Sequence, residues 1–491
     1  MNRAIRNVAV FVFVLIVVLL VNLTWIQGFK EDDYANNSLD ARQYFETKSV
    51  PRGQITAGGQ VLAQSTADED GLYSRQYPMD PVAYGSVLGY LSDRYGASGL
   101  EQSQNSILDG TDDSLFSHQV WDTLTGKEKR GANVDLTLQP NVQQVAYDQL
   151  ANAGYAGSVV AIRPSTGEVL AMASTPSYNP ADLVSTDPSA EENAFTALQN
   201  DANAPLLDRS TQQIQPPGST FKLITTATAL QAGDTADTMV DGNSQITLPD
   251  GTTTLENYGG ETCGGGQVPL RTAFAKSCNT SFVDLSQRHG IDPFKDTARA
   301  FGIDEDTDSL GLPVQTSTVG PIVDNSALAQ SAIGQRDVAI TPLQNAVIAA
   351  TIANGGVRME PHIIRQVTGA DLKPLKTTKP KEVNRAIPKE TADQLTDLMR
   401  GSERYSGGSG DIASKTGTRT PGTSPSPPAR TRMSRSPCSS RTVATAARRR
   451  PVGRWPARSD GPSSRRPCRK HSRAGGGGGG ARGAGGGGGG G

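Results

Sequence analysis

The chain has 491 residues, enough for two or three domains, and its nominal net charge of −2 hides a strong asymmetry. From Arg419 onward it holds 16 of the 47 basic residues and one of the 49 acidic ones, so residues 1 to 418 carry 31 basic against 48 acidic side chains, near −17. So acidic a body argues against nucleic acid as a partner, because phosphate binding needs a basic footprint.

Residues 8–26 are free of charge over 19 positions. As a helix that run is about 28 Å long, which matches the hydrocarbon core of a bilayer. Arg3 and Arg6 precede it, and Glu31, Asp32 and Asp33 follow. The positive-inside rule therefore predicts a cytoplasmic stub (1–7), one anchor in the plasma membrane (8–26) and an extracytoplasmic remainder. A cleaved signal peptide is the alternative, but no A-x-A site follows the apolar run.

Residues 31–130 read as a mixed, polar module lying just outside the membrane. Within it, Arg52-Gly53-Gln54-Ile55 and Tyr95-Gly96-Ala97-Ser98-Gly99-Leu100-Glu101 read as turn structure. A second region, 134–420, opens with strand-like alternation at Asp135-Leu136-Thr137-Leu138 and a helix over 141–150. Apolar runs at 159–162 and 169–172, joined by Arg163-Pro164-Ser165-Thr166-Gly167-Glu168, predict an antiparallel hairpin. Helices are expected over 220–230, 270–275, 280–289 and 344–353, and strand character returns at 357–367 and 412–418. A sheet made from both ends of a domain, with helices inserted between, is an α+β arrangement.

After Thr418 the composition shifts to Arg, Pro, Ser, Ala and Gly and ends in two glycine runs. Such a stretch cannot bury a core, so 421–491 is expected to be a disordered, low-complexity basic tail. Either it is a natural basic tail that touches anionic polymer or lipid, or it is the product of a shifted reading frame in a GC-rich coding sequence. Of four cysteines, Cys438 and Cys468 fall in this tail, and Cys263 and Cys278 remain as a possible disulfide in an oxidising compartment.

Chemistry concentrates in three short motifs. Pro216-Pro217-Gly218 delivers Ser219 to the first turn of a helix, and Lys222 lies three residues on, on the same face. A serine hydroxyl needs a base within reach, and both burial and the helix dipole push such a lysine toward its neutral, proton-accepting form. About two S-x-x-K matches are expected by chance in a chain of this length, so the motif is weak by itself. Ser277-Cys278-Asn279 follows between two predicted helices, and Lys415-Thr416-Gly417-Thr418 ends a predicted strand. Acyl transfer needs a proton path to the leaving amine, positive potential or donors for substrate charge, and N–H groups for the oxyanion, which these residues can provide. Gly417 leaves room for a substrate backbone laid against the strand.

S-x-x-K, S-x-N and K-T-G in this order resemble the penicillin-binding protein and serine β-lactamase superfamily. The segment from Gly157-Ser158-Val159-Val160-Ala161-Ile162 through Pro164, Thr166-Gly167, Leu170-Ala171-Met172, Pro176 and Tyr178-Asn179-Pro180 is similar to the strand pair that opens a transpeptidase domain. Gly334-Gln335 and Thr341-Pro342-Leu343-Gln344 also fit. With one anchor, the Arg-Gly-x-Ile segment and the Gly-x-x-Gly-Leu-Glu segment ahead of that domain, the chain resembles class B members over roughly 1 to 420.

The resemblance implies a mixed, non-catalytic pedestal or dimerisation-type domain over 31–130, followed over 134–420 by a serine β-lactamase-like transpeptidase domain with an antiparallel sheet. It also implies D,D-transpeptidation of peptidoglycan stem peptides by a serine acyl-enzyme, with β-lactams as acylating mimics and no metal or organic cofactor. Ser219 would be the nucleophile, Lys222 the base and Ser277 a proton relay. Asn279 would hold the substrate amide, Lys415 would supply positive potential and Thr416 and Thr418 would bind the terminal carboxylate. The N–H groups of Ser219 and Thr418 would form the oxyanion hole. A membrane-embedded glycosyltransferase is the implied partner, and roles in cell shape and in cell division are both open.

Two departures stand out. Family members continue past K-T-G-T into two strands and a helix that are not legible in 421–491, which would leave the Lys415 strand an exposed edge and compromise activity. Asp208-Arg209-Ser210 also stands where Asn-Arg-Ala is usual. The competing readings are a β-lactamase-type hydrolase and a non-catalytic scaffold in a wall-synthesis complex.

Overall fold

The computed structural model describes residues 2–29, 48–112, 115, 130–185, 187–417, 430–436 and 439–446. The N-terminal run is a single helix, Asn2–Phe29, whose stretch Arg6–Trp25 is long and apolar enough to cross a membrane and is unburied by the rest of the chain. Its exposed Val, Leu, Ile and Phe side chains are consistent with a single-pass anchor, since a helix apolar all round requires an apolar environment.

Two principal sheets follow. The first has six strands in the order Pro374–Thr377, Ile364–Thr368, Asn133–Leu136, Ile55–Ala57, Gln60–Ala67 and Tyr73–Gln76. It draws on both regions of the chain. The strand character expected at 357–367 therefore does not close the catalytic sheet: Ile364–Thr368 pairs antiparallel with Asn133–Leu136, while Val357–Met359 pairs with Glu382–Arg385. Alternation identifies a strand but not its partner. Between the sheets lies one shared apolar core, in which Ile55, Leu62, Val134 and Leu136 of the first meet Val160, Ile162, Val169 and Met172 of the second.

The two N-terminal segments expected to be turns have a further role. Glu101, fully buried, accepts from Arg52 Nε at 2.9 Å and from Arg75 Nε at 2.6 Å, while the two guanidinium groups also reach Glu101 O and Gly53 O. An unpaired buried charge is costly, so the one carboxylate holds both guanidinium groups and each of them holds it.

The second sheet has five strands, ordered Ile412–Thr416, Arg430–Ser436, Ser439–Ala446, Gly157–Ile162 and Val169–Thr175. All neighbours run antiparallel, with Lys415 opposite Thr431, Val443 opposite Ala161, and Val160 opposite Met172. Gly157–Ile162 and Val169–Thr175 are buried at every position, which explains their unbroken apolar runs. Two of the five strands come from the stretch whose composition predicts no element, a departure from the expected tail over these segments. Ladder bonds join main-chain groups and need no apolar residue, and Thr442-Val443-Ala444-Thr445 contains β-prone residues. The remainder of 421–491 lies outside the described residues.

Helices pack against this sheet. Lys222–Gln231 is buried over all but its last residue, Pro342–Ala353 over all but its last, and both join Asn279–His289 and Lys389–Tyr405 around a core that includes Phe221, Phe274, Phe282, Phe294 and Met399. The helix ends follow their local chemistry. Thr341 caps Pro342–Ala353 by accepting from Gln344 N, and Pro342 occupies the first helical position, where a missing N–H costs nothing.

Candidate active site

Ser219 sits in a short 3₁₀ turn, Gly218–Thr220, that runs into the helix Lys222–Gln231. The turn is held from behind: Gly218 N donates to Gly334 O at 2.9 Å, and Gly334, at φ 71°, has no space for a Cβ because Gly218 and Phe221 fill it. This is the physical content of Gly334-Gln335. The half-buried Ser219 hydroxyl has no hydrogen-bond partner among the described residues.

Lys222 is fully buried, and its Nζ donates to Ser277 O at 2.7 Å and to Asn279 Oδ1 at 2.8 Å, with Ser277 Oγ at 3.4 Å. Burial, and secondarily the charge of Lys415, pushes its pKa well below the usual lysine value. A neutral amine has two N–H bonds and one lone pair. Both N–H bonds find acceptors here, so the lone pair is left to take a proton.

Lys415 is also fully buried, in the strand Ile412–Thr416, and donates to Ser277 Oγ at 2.8 Å and to Thr416 O at 3.0 Å. Burial brings its pKa down to about 7. Neither lysine has a carboxylate partner among the described residues, and their Nζ atoms face rings instead: Phe282 at 5.1 Å from Lys222 and Phe274 at 5.7 Å from Lys415. A ring face attracts a cation more weakly than a carboxylate does, so both amines stay easy to deprotonate.

Ser277 links the two lysines. It caps the helix Leu270–Lys276 with left-handed backbone, φ 60°, ψ 43°. A non-glycine residue held there stores strain of about 1 kcal/mol or more, of the kind found at functional sites. Cys278 follows, joined to Cys263 in a disulfide with Cα atoms 6.2 Å apart. Asn279 then opens the helix Asn279–His289, with Nδ2 donating to Glu256 O at 2.8 Å.

Gly417 is explained differently from its sequence reading. A Cβ there would lie 2.6 Å from Pro217 O and 3.0 Å from Thr220 N, so the missing side chain lets the K-T-G segment close on the serine turn itself. Thr416 is half-buried beside it, and Thr418 lies outside the described residues. Ser219, Lys222, Ser277, Asn279, Lys415 and Gly417 thus converge from three separate segments. Sequence reasoning missed the rings of Phe274 and Phe282, and it missed Asn257, whose loop carries only a turn signal. The unusual Asp208 is fully enclosed, accepts from Ser210 N and Thr211 Oγ1, and has its carboxyl pKa raised by burial.

The site can therefore present a serine hydroxyl, a buried amine whose pKa is lowered, a hydroxyl shared between two amines, and a strand that ends the order of its sheet. Comparisons with known proteins agree with that chemistry. Residues 157–434 match the penicillin binding protein transpeptidase domain, and residues 52–134 match the penicillin binding protein A dimerisation domain. The chain is 47% identical over 435 residues to the peptidoglycan D,D-transpeptidase PbpA of Mycolicibacterium smegmatis, covering 87% of this chain and 88% of that protein. It is 44% identical to the PbpA of Mycobacterium tuberculosis over the same shares. Among solved structures, the penicillin G acyl-enzyme complex of penicillin-binding protein A from M. tuberculosis superposes with a TM-score of 0.78 at 44% identity, over 82% of this chain and 94% of that one. The imipenem acyl-enzyme complex of the same protein gives a TM-score of 0.78 at 42% identity, over the same shares. The chain belongs, as its resemblance to class B members implied, to the penicillin-binding protein transpeptidase family.

Proposed function

We propose that the chain is a serine D,D-transpeptidase that cross-links peptidoglycan stem peptides ending in D-Ala-D-Ala and is acylated by β-lactams. Ser219 Oγ attacks the carbonyl carbon of the penultimate D-Ala as its proton passes to Lys222 Nζ. The C–N bond then breaks, and the departing D-Ala amine takes a proton through Ser277. An amino group of a neighbouring stem attacks the Ser219 ester, loses its proton to the same base and releases Ser219. Asn279 keeps one amide hydrogen for the substrate, since its other is held by Glu256 O and its oxygen by Lys222. Lys415 supplies positive potential toward the substrate carboxylate beside Thr416 and Thr418.

The observation that carries the reading is the environment of Lys222, fully buried with both N–H bonds committed to Ser277 O and Asn279 Oδ1. The test is incubation of the full-length chain in detergent with a fluorescent penicillin, followed by mapping of the adduct. A stable adduct on Ser219, absent from Ser219→Ala, is expected. A folded chain that forms none supports a non-catalytic scaffold, and prompt turnover of a chromogenic β-lactam supports a hydrolase.

The anchor runs with its N-terminus in the cytoplasm, a reading supported by Arg3 and Arg6 before the span and three acidic residues after it. A membrane-embedded glycosyltransferase is the partner, since cross-linking acts on glycan strands made at the same surface. The Arg, Pro and Gly composition after Thr418 supports a shifted reading frame near codon 420. If neither other frame of the coding DNA encodes alternating apolar strands followed by a helix, that origin is wrong.

A further inference from the structure

We infer that Asn257 is a positioning residue for Lys222, acting through the orientation of Asn279; the inference rests on acylation at Ser219. The helix Asn279–His289 has Cys278 at its N-cap, a position where Ser, Thr, Asp or Asn would accept from the first free N–H groups. Cys278 cannot, because its sulfur is bonded to Cys263. The cap comes instead from another loop: Asn257 Oδ1 accepts from Asn279 N at 2.6 Å and from Thr280 N at 3.1 Å.

Asn257 is itself fixed. It is 7% exposed, and its Nδ2 donates to Asn243 O at 2.9 Å and to Glu261 O at 3.0 Å, so its amide has one orientation. The residue before it completes the hold, because Glu256 O takes Asn279 Nδ2 at 2.8 Å. Consecutive residues thus grip the main-chain and side-chain nitrogens of Asn279, which leaves Asn279 Oδ1 aimed at Lys222 Nζ, 2.8 Å away. A flipped Asn279 amide would set donor against donor at Lys222 and acceptor against acceptor at Glu256 O. Without Asn257 this preference loosens, and with it the second acceptor that directs the Lys222 lone pair.

The test measures penicillin acylation of the full-length chain, resolved into a binding constant and a first-order acylation rate, each at the plateau of its pH profile. Asn257→Ala is expected to slow the first-order step on the order of 10- to 100-fold, the scale of an ångström-level misplacement, with the binding constant little changed. Asn257→Asp keeps both acceptor contacts, and because Asn243 O and Glu261 O face its other oxygen, burial beside them favours the protonated carboxyl, whose O–H keeps one of the two donations; it is expected to stay within about threefold of the native rate, well inside that misplacement range. A native first-order rate in Asn257→Ala, or a folded Asn257→Asp as slow as the alanine variant, overturns the inference. Should Asn257→Ala not fold, Asn257→Asp decides by itself: a retained rate upholds the inference and a lost one refutes it. A native chain that never acylates removes the Ser219 reading and this inference together.

Discussion

Replacing Lys415 with methionine should stabilise the fold at neutral pH while strongly slowing acylation. Lys415 has a pKa of about 7 in the folded chain against 10.5 for a free lysine, with burial as the cause. One pKa unit corresponds to about 1.4 kcal/mol, so the charged form is disfavoured by roughly 5 kcal/mol, of which about 4 still applies at pH 7. Because the unfolded chain binds the proton more tightly, this destabilisation is complete below pH 7 and is relieved as pH rises toward 10.5. Methionine has similar length and no charge, but it forfeits the donations to Ser277 Oγ and Thr416 O, worth about 1 kcal/mol each. The desolvation effect wins at pH 7, for a net gain of about 2 kcal/mol, and the hydrogen-bond loss wins near pH 10.5, where the variant should be the weaker. Thermal unfolding of the full-length chain across pH 6 to 10.5 reads this crossover, and penicillin labelling should fall on the order of 100-fold. A methionine variant less stable than the native chain at pH 7, or offset from it by the same amount at every pH, would refute the argument.

Cys263→Ser opens a bridge between residues 15 apart and should cost about 3 kcal/mol by chain entropy, with slower acylation because Cys278 lies between Ser277 and Asn279; denaturant melts and labelling rates check both effects. In Gly417→Ala the new Cβ meets Pro217 O, 2.6 Å away, and forces the K-T-G segment off the serine turn. At least about a tenfold loss of acylation is expected from the misplacement, with a melting temperature close to native. Glu101→Gln leaves Arg52 and Arg75 without their carboxylate and should lower stability by about 3–5 kcal/mol. The molecules that remain folded should acylate at the native rate, because these residues lie within 52–134 and not at the site.

What could be read from the sequence was local. The helices expected over 280–289 and 344–353 are found as Asn279–His289 and Pro342–Ala353, because glycine, proline and cap residues act on their own neighbours. Ser219 and Lys222 could be paired for the same reason, being one turn apart. Partnership across distance was not legible. Alternation marked 357–367 as a strand without saying that Ile364–Thr368 belongs beside Asn133–Leu136. Arg52, Arg75 and Glu101 lie in three segments, and only packing reveals that one carboxylate serves two guanidinium groups. Asn257 was silent because a cap supplied by a distant loop leaves no spacing to detect.

Gly417 shows how a glycine singled out in a sequence can have a structural reason that the sequence does not display. Sequence chemistry allotted its missing side chain to an incoming substrate, yet the atoms nearest the vacant Cβ position belong to Pro217 and Thr220. The strand Ile412–Thr416 nonetheless ends the five-strand order, paired on one side to Arg430–Ser436. Among the described residues its other edge has no strand partner, and an extended peptide could add there through backbone hydrogen bonds. On the function proposed above, the close approach at Gly417 and the unpaired edge would be one device: the first brings the strand against the Ser219 turn, and the second would let a peptide bound along that strand lie across the serine.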